Sequence, residues 1–321
     1  MNESARDLPI DRRTFVRTMA ATAAASMLAA PYTYAQRKAA PGLTVGMILP
    51  GGRGDSFSDA RAGIELGFEE AVRSGILFQK PVTVLEKTFT TPRDAADAAK
   101  SLIVGDRAAV LIGCGTDDEV RAMADVCDAT AAVFMNVVSR SDDLRRLVCS
   151  RFLYHIEASE AMYVAGHALA THQTETGLAP ADCELVLWHA ALERYGAAQL
   201  NDRFSAQAHK PMNGASWAGW FGVKVATESY FRSGGSNAAA LATFMSAEST
   251  QFDGHKGAPL SFRSWDHQLR QPLYCVSTIA GPGSPSVRDV PDLARSSGPS
   301  RQLLDQLGDR EPATQCKRAH Q

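Results

Sequence analysis

Several features that define whole classes of protein are scarce or missing in this sequence. Its 321 residues carry 33 Lys and Arg against 35 Asp and Glu, a net charge of -2, so no positive field attracts a nucleic-acid backbone. No apolar run reaches the roughly 18 residues that a membrane span requires. Aromatic residues make up only 7%, whereas hydrophobic residues reach 45%. The composition predicts a soluble globular protein of about two domains that does not bind nucleic acid.

Motifs for nucleotide binding are missing as well. The segment Pro50-Gly51-Gly52-Arg53-Gly54-Asp55 joins a predicted strand to a predicted helix, where a phosphate-binding loop would lie. Counted as G-x-G-x-x-G from Gly52, however, Phe57 replaces the third glycine, and no G-x-x-x-x-G-K-[ST] motif occurs. We therefore expect a flexible turn at the carboxyl edge of a parallel sheet, where open α/β folds bind ligands.

Neither catalysis nor metal binding has a recognisable signature. The sequence contains no G-x-S-x-G nucleophile elbow and no cysteine in a catalytic context. Five potential metal ligands fall within one segment: His155, His167, His172, Cys183 and His189. None of their spacings fits a C-x-x-C or H-x-x-x-H zinc pattern. The sequence predicts a protein that is not an enzyme and has no metal site and no cofactor.

The N-terminus has the pattern of a bacterial export signal. Arg12 and Arg13 precede Thr14-Phe15-Val16, an apolar segment covers residues 19–30, and the small residue Ala35 comes before Gln36. Paired arginines ahead of a short apolar segment predict a twin-arginine (Tat) signal peptide over residues 1–35. An N-terminal anchor helix is the less favoured alternative, because the segment is shorter than a membrane span. Export predicts a protein of the periplasm, where disulfides persist.

From Leu43 onward, strand-like and helical segments alternate. Leu43–Leu49 is a continuous apolar run, as expected for a strand buried on both faces, and Asp55–Arg73 has apolar residues at helical spacing with Gly75 as its end. Further strands are predicted at 82–89, 108–114, 131–138 and 152–156, and further helices at 92–104 and 116–128. This alternation predicts an α/β fold with a doubly wound parallel sheet in residues 43–158.

The second half of the chain has a different rhythm. Predicted helices cover 159–172, 190–204, 216–232 and 238–248, an apolar run covers 184–188, and residues 252–276 are predicted to be extended segments with turns. This second region, 159–276, precedes a mostly irregular tail at 277–321 with one helical turn at 301–307. Trp217 and Trp220 share one helix face, which favours core packing over ligand stacking.

The six cysteines are expected to find partners in an oxidising compartment, although fifteen connectivities are open. Cys127 ends a predicted helix and Cys149 opens the next strand region, so we predict a disulfide between them. The other four are two late residues, Cys275 and Cys316, and two that are as well explained as buried free thiols, Cys114 and Cys183.

Strings in the second half carry a family resemblance. They are Trp188-His189, Leu192-Glu193-Arg194, residues 196–201, Arg203-Phe204, residues 252–263 (FDGHKGAPLSFR), residues 266–273 (DHQLRQPL), the helix end 233–236 and the tail string 304–308 with Cys316. With these strings the chain resembles the type I periplasmic solute-binding proteins of ABC transporters, the branched-chain-amino-acid-like group. It is most similar to the subgroup associated with PQQ-dependent alcohol dehydrogenase systems.

The resemblance implies a small-molecule ligand, an ABC transporter permease as partner and, in this subgroup, a quinoprotein dehydrogenase as a further partner. The ligand would be PQQ or another compound of alcohol oxidation. Ligands of this family contact loops at the carboxyl edge of the sheet, which implies these ligand-binding residues: Gly52, Arg53, Cys114, Thr116 and Asn136.

An anionic, aromatic ligand such as PQQ also needs cations for its carboxylates and a flat side chain for its rings. Arg53, Arg140 and one of the tryptophans are the candidates. Two alternatives stay open: the arginines are equally explained as solvated surface residues, and Thr116 as a helix N-cap without a ligand contact.

One departure from the family pattern concerns its two lobes. Solute-binding proteins of this group close two αβ lobes on the ligand. Here only residues 173–187 separate the helix ending at His172 from Trp188, so most of the second lobe is expected to be missing. Two functions are compatible with this: a periplasmic substrate-binding component of an ABC transporter, or a protein-interaction module derived from a binding protein that has lost its ligand clamp.

The paired arginines give a direct test of export. Replacing Arg12 and Arg13 with lysine is expected to leave the precursor in the cytoplasm, because the twin-arginine route reads that pair. Fractionation of cells expressing both forms measures this, and undiminished periplasmic protein from the double variant would contradict the prediction.

Overall fold

Five parallel strands form the first sheet, in the order β2-β1-β3-β4-β5. The strands are β1 (Leu43–Pro50), β2 (Val82–Phe89), β3 (Val110–Gly113), β4 (Val133–Asn136) and β5 (Leu153–His155). Every residue of β3, β4 and β5 is buried, as expected where helices cover both faces of a parallel sheet. The predicted α/β fold with a doubly wound parallel sheet is confirmed.

The computed structural model describes residues 42–52, 54–175, 183–277, 285–293 and 300–310, and of 173–175 the backbone alone. These residues belong to one unit that begins at Pro41. The predicted signal peptide, Arg53 and Cys316 lie outside the described residues. Within the described ranges, no helix combines the length and the apolar character needed to cross a membrane.

Helices cover both faces of the first sheet. They are α1 (Asp55–Leu77), α2 (Pro92–Lys100, extended by a π-type turn over Ser101–Gly105), α3 (Asp117–Thr130) and α4 (Asp142–Arg146). Alternation along β1 separates two hydrophobic clusters, because Val45 and Met47 point to one and Ile48 to the other. The cluster of Ile48 is closed by α2 and α3, and that of Val45 by α1 and a helix from the second half.

The second half builds two smaller sheets and further helices. Its elements are α5 (Glu160–Glu175), β6 (Glu184–Val186), α6 (Ala197–Ala208), α7 (Gly214–Ser233), α8 (Ala238–Ser246), β7 (Phe252–Asp253), β8 (Pro259–Phe262), β9 (Leu269–Arg270), β10 (Leu273–Ser277), β11 (Ser286–Val290) and α9 (Ser300–Leu304). Strands β11, β10 and β6 form an antiparallel second sheet in that order, and β7, β8 and β9 form a third.

Helix α7 packs against α1 through glycines. A Cβ atom on Gly63 would lie 1.8 Å from the carbonyl oxygen of Ser216, and one on Gly219 would lie 2.3 Å from that of Ala60. Real side chains never approach that closely, so the two backbones meet only because both positions lack a side chain. This contact brings Trp217 and Phe221 of α7 into the core beside the first sheet.

Three predicted elements differ in the structure. Helix α1 continues past Gly75 to Leu77, because Gly75 allows the close approach of Lys80 rather than a left-handed turn. The helix predicted at 190–204 begins only at Ala197, after Gly196 with φ 87°. Residues 286–290, within the predicted irregular tail, form β11 and pair with β10.

The disulfide predicted between Cys127 and Cys149 is wrong. Cys127 is a buried free thiol on α3, and Cys149 forms a disulfide that does not involve Cys127. Cys183 is not free but bonded to Cys275, 92 residues away, whereas Cys114 is the buried free thiol that was expected. The register of the second sheet explains the Cys183–Cys275 bond. Cys275 of β10 pairs with Leu185 of β6, so Cys183, just before β6, lies beside β10.

The glycine contact between α1 and α7 predicts a strong effect of one methyl group. Gly63→Ala is expected to lower the free energy of unfolding by about 3 kcal/mol, since the helices must separate to admit the new atom. Gly105→Ala is the matched control, because a Cβ there meets only the Ser101 hydroxyl at 4.0 Å. Urea unfolding measures both, and an equal effect of the two substitutions would refute the packing argument.

Candidate functional site

The carboxyl ends of the parallel strands meet at one edge of the first sheet. Gly113 pairs with Ile48 on one side and with Asn136 on the other, and Asn136 pairs with His155. The loops that leave β1, β3, β4 and β5 therefore start side by side. The predicted residues Gly52, Cys114, Thr116 and Asn136 belong to this edge, and Arg140 follows in the loop after β4.

Gly52 and Thr116 lie at the surface of the edge. Gly52 is exposed at φ 68°, and no heavy atom lies within 4 Å of the position its Cβ would take. Thr116 is the N-cap of α3: its hydroxyl accepts from the Glu119 amide, and its own amide donates to the Glu119 carboxylate at 2.8 Å. The Thr116 side chain thus has the structural role that the sequence left open.

Cys114 and Asn136 have buried side chains. The Cys114 thiol belongs to the core cluster, and burial raises its pKa, so it is not a reactive thiolate. Asn136 accepts from the amides of Val138 and Ser139 and donates to the Ser139 carbonyl at 2.8 Å. Its side chain shapes the loop after β4, and the residue is fully buried, so it offers no atom for a ligand at the surface of the edge.

Arg140 belongs to a cluster that we call the edge cluster: Arg140, Glu157 and Tyr163. The guanidinium carbon of Arg140 lies 4.1 Å from the centre of the Tyr163 ring, and Nε lies 3.5 Å from the Glu157 carboxylate. The Tyr163 hydroxyl donates to the same carboxylate at 3.0 Å. Glu157 and Tyr163 are buried, whereas the Arg140 side chain is 48% exposed, so the cluster presents a cation to solvent.

A fully buried arginine, Arg145, holds this edge in place. Its guanidinium donates to the carbonyls of Ser141 and Glu157, both at 2.8 Å, and to the side-chain oxygen of Gln268 at 2.6 Å. Burial lowers the pKa of Arg145 to about 10, which leaves it charged at neutral pH. Arg145 therefore joins the loops after β4 and β5 to a segment from the second half.

Sequence reasoning missed Glu157, Tyr163 and Arg145. Glu157 directly follows a buried strand at its carboxyl end, the same signal that selected Asn136, and could have been found. Tyr163 and Arg145 are partners by tertiary contact, for which no motif exists. The predicted stacking role of a tryptophan has no support at this edge: Trp188, Trp217 and Trp220 are buried in the core, the half-buried Trp265 stacks with Arg263 and Arg270, and the edge aromatic is Tyr163.

The potential metal ligands of the sequence do not converge. Within the described part of the chain, no group of three or more His, Cys, Asp or Glu side chains could hold a metal ion. His155 instead contacts Asn136 through Nδ1 at 3.1 Å, and Cys183 is bonded to Cys275.

The fold is that of periplasmic binding proteins. The chain matches a periplasmic binding protein from Burkholderia mallei with a TM-score of 0.67 at 12% identity, over 87% of this chain and 99% of that one. It matches the branched-chain amino acid transporter substrate-binding protein of Streptococcus pneumoniae in complex with isoleucine (0.60, 11%, 78% and 100%). It also matches an ABC transporter solute-binding protein of Rhodopseudomonas palustris in complex with benzoate (0.59, 14%, 76% and 95%).

These solved structures are similar to this chain in fold, and they are type I periplasmic binding proteins of ABC transporters. No protein-family model matches the sequence, and no curated protein matches it either. The similarity establishes the fold that the sequence resemblance implied and leaves the activity to be argued from the site.

The edge cluster predicts a pH dependence of stability. Burial raises the pKa of Glu157 in the folded state, so its contribution to stability is greatest at low pH and is lost as the pH rises through the raised pKa. The free energy of unfolding of wild type, minus that of Glu157→Gln, should fall as the pH rises above 4.5, the ordinary glutamate value. Urea unfolding at several pH values measures this difference.

The matched control is Glu160→Gln, which changes an exposed carboxylate at the start of α5. The Glu160 side chain is exposed in the folded protein, so Glu160→Gln removes a carboxylate of the same kind without removing a buried one. An equal change with pH for the two variants would show that the burial of Glu157 is not the cause of the effect.

Proposed function

We propose that this protein is the periplasmic substrate-binding component of an ABC transporter and binds a small molecule at the carboxyl edge of the first sheet. It acts by binding, without catalysis, and delivers its ligand to a permease. The observation that carries this proposal is the half-exposed guanidinium of Arg140, held over Tyr163 and beside Glu157 at that edge. The periplasmic-binding-protein fold supports it.

The edge favours an anionic ligand. An arginine with exposed donors binds carboxylates in a planar, paired geometry that a lysine cannot provide. At the same edge, no heavy atom of the described residues lies within 4 Å of the position that a Cβ on Gly52 would take, so the turn after β1 leaves open space there. PQQ, which the sequence resemblance suggests, is such a ligand, and a quinoprotein dehydrogenase is then the second partner that we propose. Export through the twin-arginine signal supplies the periplasmic location.

We further propose that the second lobe is reduced. The second sheet has three short strands in the described residues, and β6 follows soon after α5. A ligand at the edge is then covered mainly from one side. Leaving ~100 Å² of apolar surface uncovered costs about 2.5 kcal/mol, which weakens the affinity by close to a hundredfold.

Calorimetric titration with PQQ tests the proposed site. The wild type is expected to bind with a Kd no tighter than micromolar, and Arg140→Gln to bind about tenfold to a hundredfold more weakly, because a hydrogen bond to a charged group is lost. The matched control is Arg107→Gln: Arg107 is exposed and precedes β3, which places it at the opposite, amino edge of the sheet. Arg107→Gln should bind as wild type does.

A thermal-shift screen with PQQ, amino acids and short alcohols tests separately whether PQQ is the ligand and whether the protein binds solutes at all. Stabilisation by another compound, lost in Arg140→Gln, keeps the solute-binding function and replaces PQQ as the ligand. If no compound raises the melting temperature, the solute-binding proposal fails and the interaction module becomes the better explanation. A nanomolar Kd with large compaction in solution scattering would contradict the reduced second lobe.

A further inference from the structure

A second concave site lies on the second sheet, away from the edge cluster. It is a cavity of 440 Å³ between the loop 191–195, the β7–β8 turn and strands β10 and β11, and we call it the Tyr274 cavity. It shares no lining residue with the edge cluster. A volume of this size is in the range of small-molecule sites.

The register of the second sheet places two functional groups side by side in this cavity. Tyr274 of β10 pairs directly with Asp289 of β11, so their side chains are cross-strand neighbours on one face of the sheet. Val287, two residues before Asp289, lies on the same face and also lines the cavity. The cavity floor is therefore a hydroxyl and a carboxyl group next to apolar surface.

The Tyr274 hydroxyl is free to bind a ligand. Tyr274 is only 2% exposed, its ring packs edge-on against Trp188, and the residue lines the cavity. Among the described residues its hydroxyl has no hydrogen-bond partner. The hydroxyl is not among the fully buried atoms without a partner, so it is reached from the cavity, where a ligand atom that accepts its hydrogen bond is favoured over apolar surface.

Lys256 is a buried basic group beside this hydroxyl. Its Nζ donates to the carbonyls of Leu187 at 2.8 Å and Pro272 at 3.1 Å, and it lies 5.2 Å from the centre of the Tyr274 ring. Burial lowers the pKa of Lys256, whereas Glu157 and Asp289 oppose that shift. An anion in the cavity would act in the same direction as these two carboxylates and favour the charged form of Lys256.

Arg194 supplies a cation at the cavity mouth. It is exposed, lines the cavity, and is close enough to Asp289 to oppose the rise in the pKa of Asp289 that burial causes. Glu193, Arg288 and Asp292 also line the wall. The cavity thus offers donors from Tyr274 and Arg194 and one half-buried acceptor, Asp289.

We propose that the Tyr274 cavity binds a small organic carboxylate that also carries a hydroxyl group. The carboxylate accepts from the Tyr274 hydroxyl and the Arg194 guanidinium near Lys256, and the ligand hydroxyl donates to Asp289. The rings of Tyr195 and Tyr274 and the side chain of Val287 cover an apolar or aromatic body. This site goes beyond the proposed function, because its lining residues and its ligand are different ones; Lys256 links it to the edge cluster through an electrostatic interaction with Glu157.

The probe is 4-hydroxybenzoate, which has a carboxylate, a ring and a hydroxyl. Titration calorimetry of the exported, full-length mature protein is expected to show saturable binding. Benzoate, without the hydroxyl, should bind more weakly, and 4-hydroxybenzyl alcohol, without the charge, should bind weakest. A ranking in which the neutral alcohol equals 4-hydroxybenzoate would overturn the proposal, since the cation field would then have no role.

Two pairs of variants locate the binding. Tyr274→Phe removes only the hydroxyl and keeps the ring on Trp188, and it should weaken 4-hydroxybenzoate about tenfold to a hundredfold, as should Arg194→Gln. Tyr163→Phe and Arg140→Gln change the edge cluster and should change this affinity much less than the two cavity variants do, because they reach the cavity only through the interaction of Glu157 with Lys256. Circular dichroism confirms that each variant is folded.

The outcomes distinguish the two sites. Loss of binding in Tyr274→Phe and Arg194→Gln alone supports the Tyr274 cavity, whatever the result with PQQ. Loss in Arg140→Gln with full affinity in Tyr274→Phe would place 4-hydroxybenzoate at the carboxyl edge and refute the second site. The absence of saturable binding in the wild type would refute it as well and would leave the edge proposal untouched.

Discussion

The burial of one lysine side chain, Lys256, organises the junction between the two halves of the molecule. The chain passes between the first and second sheets after β5, after β6 and before β10. Lys256 donates to the carbonyl of Leu187 in the second of these passages and to that of Pro272 in the third. Gln271, beside Pro272, donates to the carbonyl of Ile156 in the first. A buried amino group is costly unless such acceptors surround it, so Lys256 and the passages require each other.

The two candidate sites rest on different contacts around this junction. Arg145 and Gln268 fix the loops at the carboxyl edge, whereas Lys256 and the β10–β11 pair form the Tyr274 cavity on the other sheet. The Cys183–Cys275 disulfide adds a covalent link within the second sheet. Lys256 also interacts electrostatically with Glu157 of the edge cluster, so the charge of one site bears on the other.

The first sheet was predictable because its evidence is local. Apolar runs closed by glycine or a capping residue identify β1, α3 and their neighbours, and parallel strands bring their carboxyl ends together, which placed Asn136 and Arg140 at one edge. Contacts between distant segments were not predictable. The Cys183 pairing follows from sheet register, and the burial of Glu157 and Arg145 depends on Gln268, far along the chain. The helix predicted from apolar spacing to begin at residue 190 begins only after Gly196, because the positive φ of Gly196 is incompatible with a helix that continues through it.

Helix α7 covers a face of the first sheet with residues that come long after β5 in the chain, and Gly222 on that helix packs beside Ile112 and Val137. During synthesis the five strands leave the ribosome before α7 has been made. Helix α1 then covers this face only in part until Ser233 emerges, and exposed apolar surface of this kind is what chaperones bind and what drives aggregation. A polypeptide that ends between α5 and α7 leaves the rest of this face uncovered, so α7 is the element whose synthesis completes this part of the core.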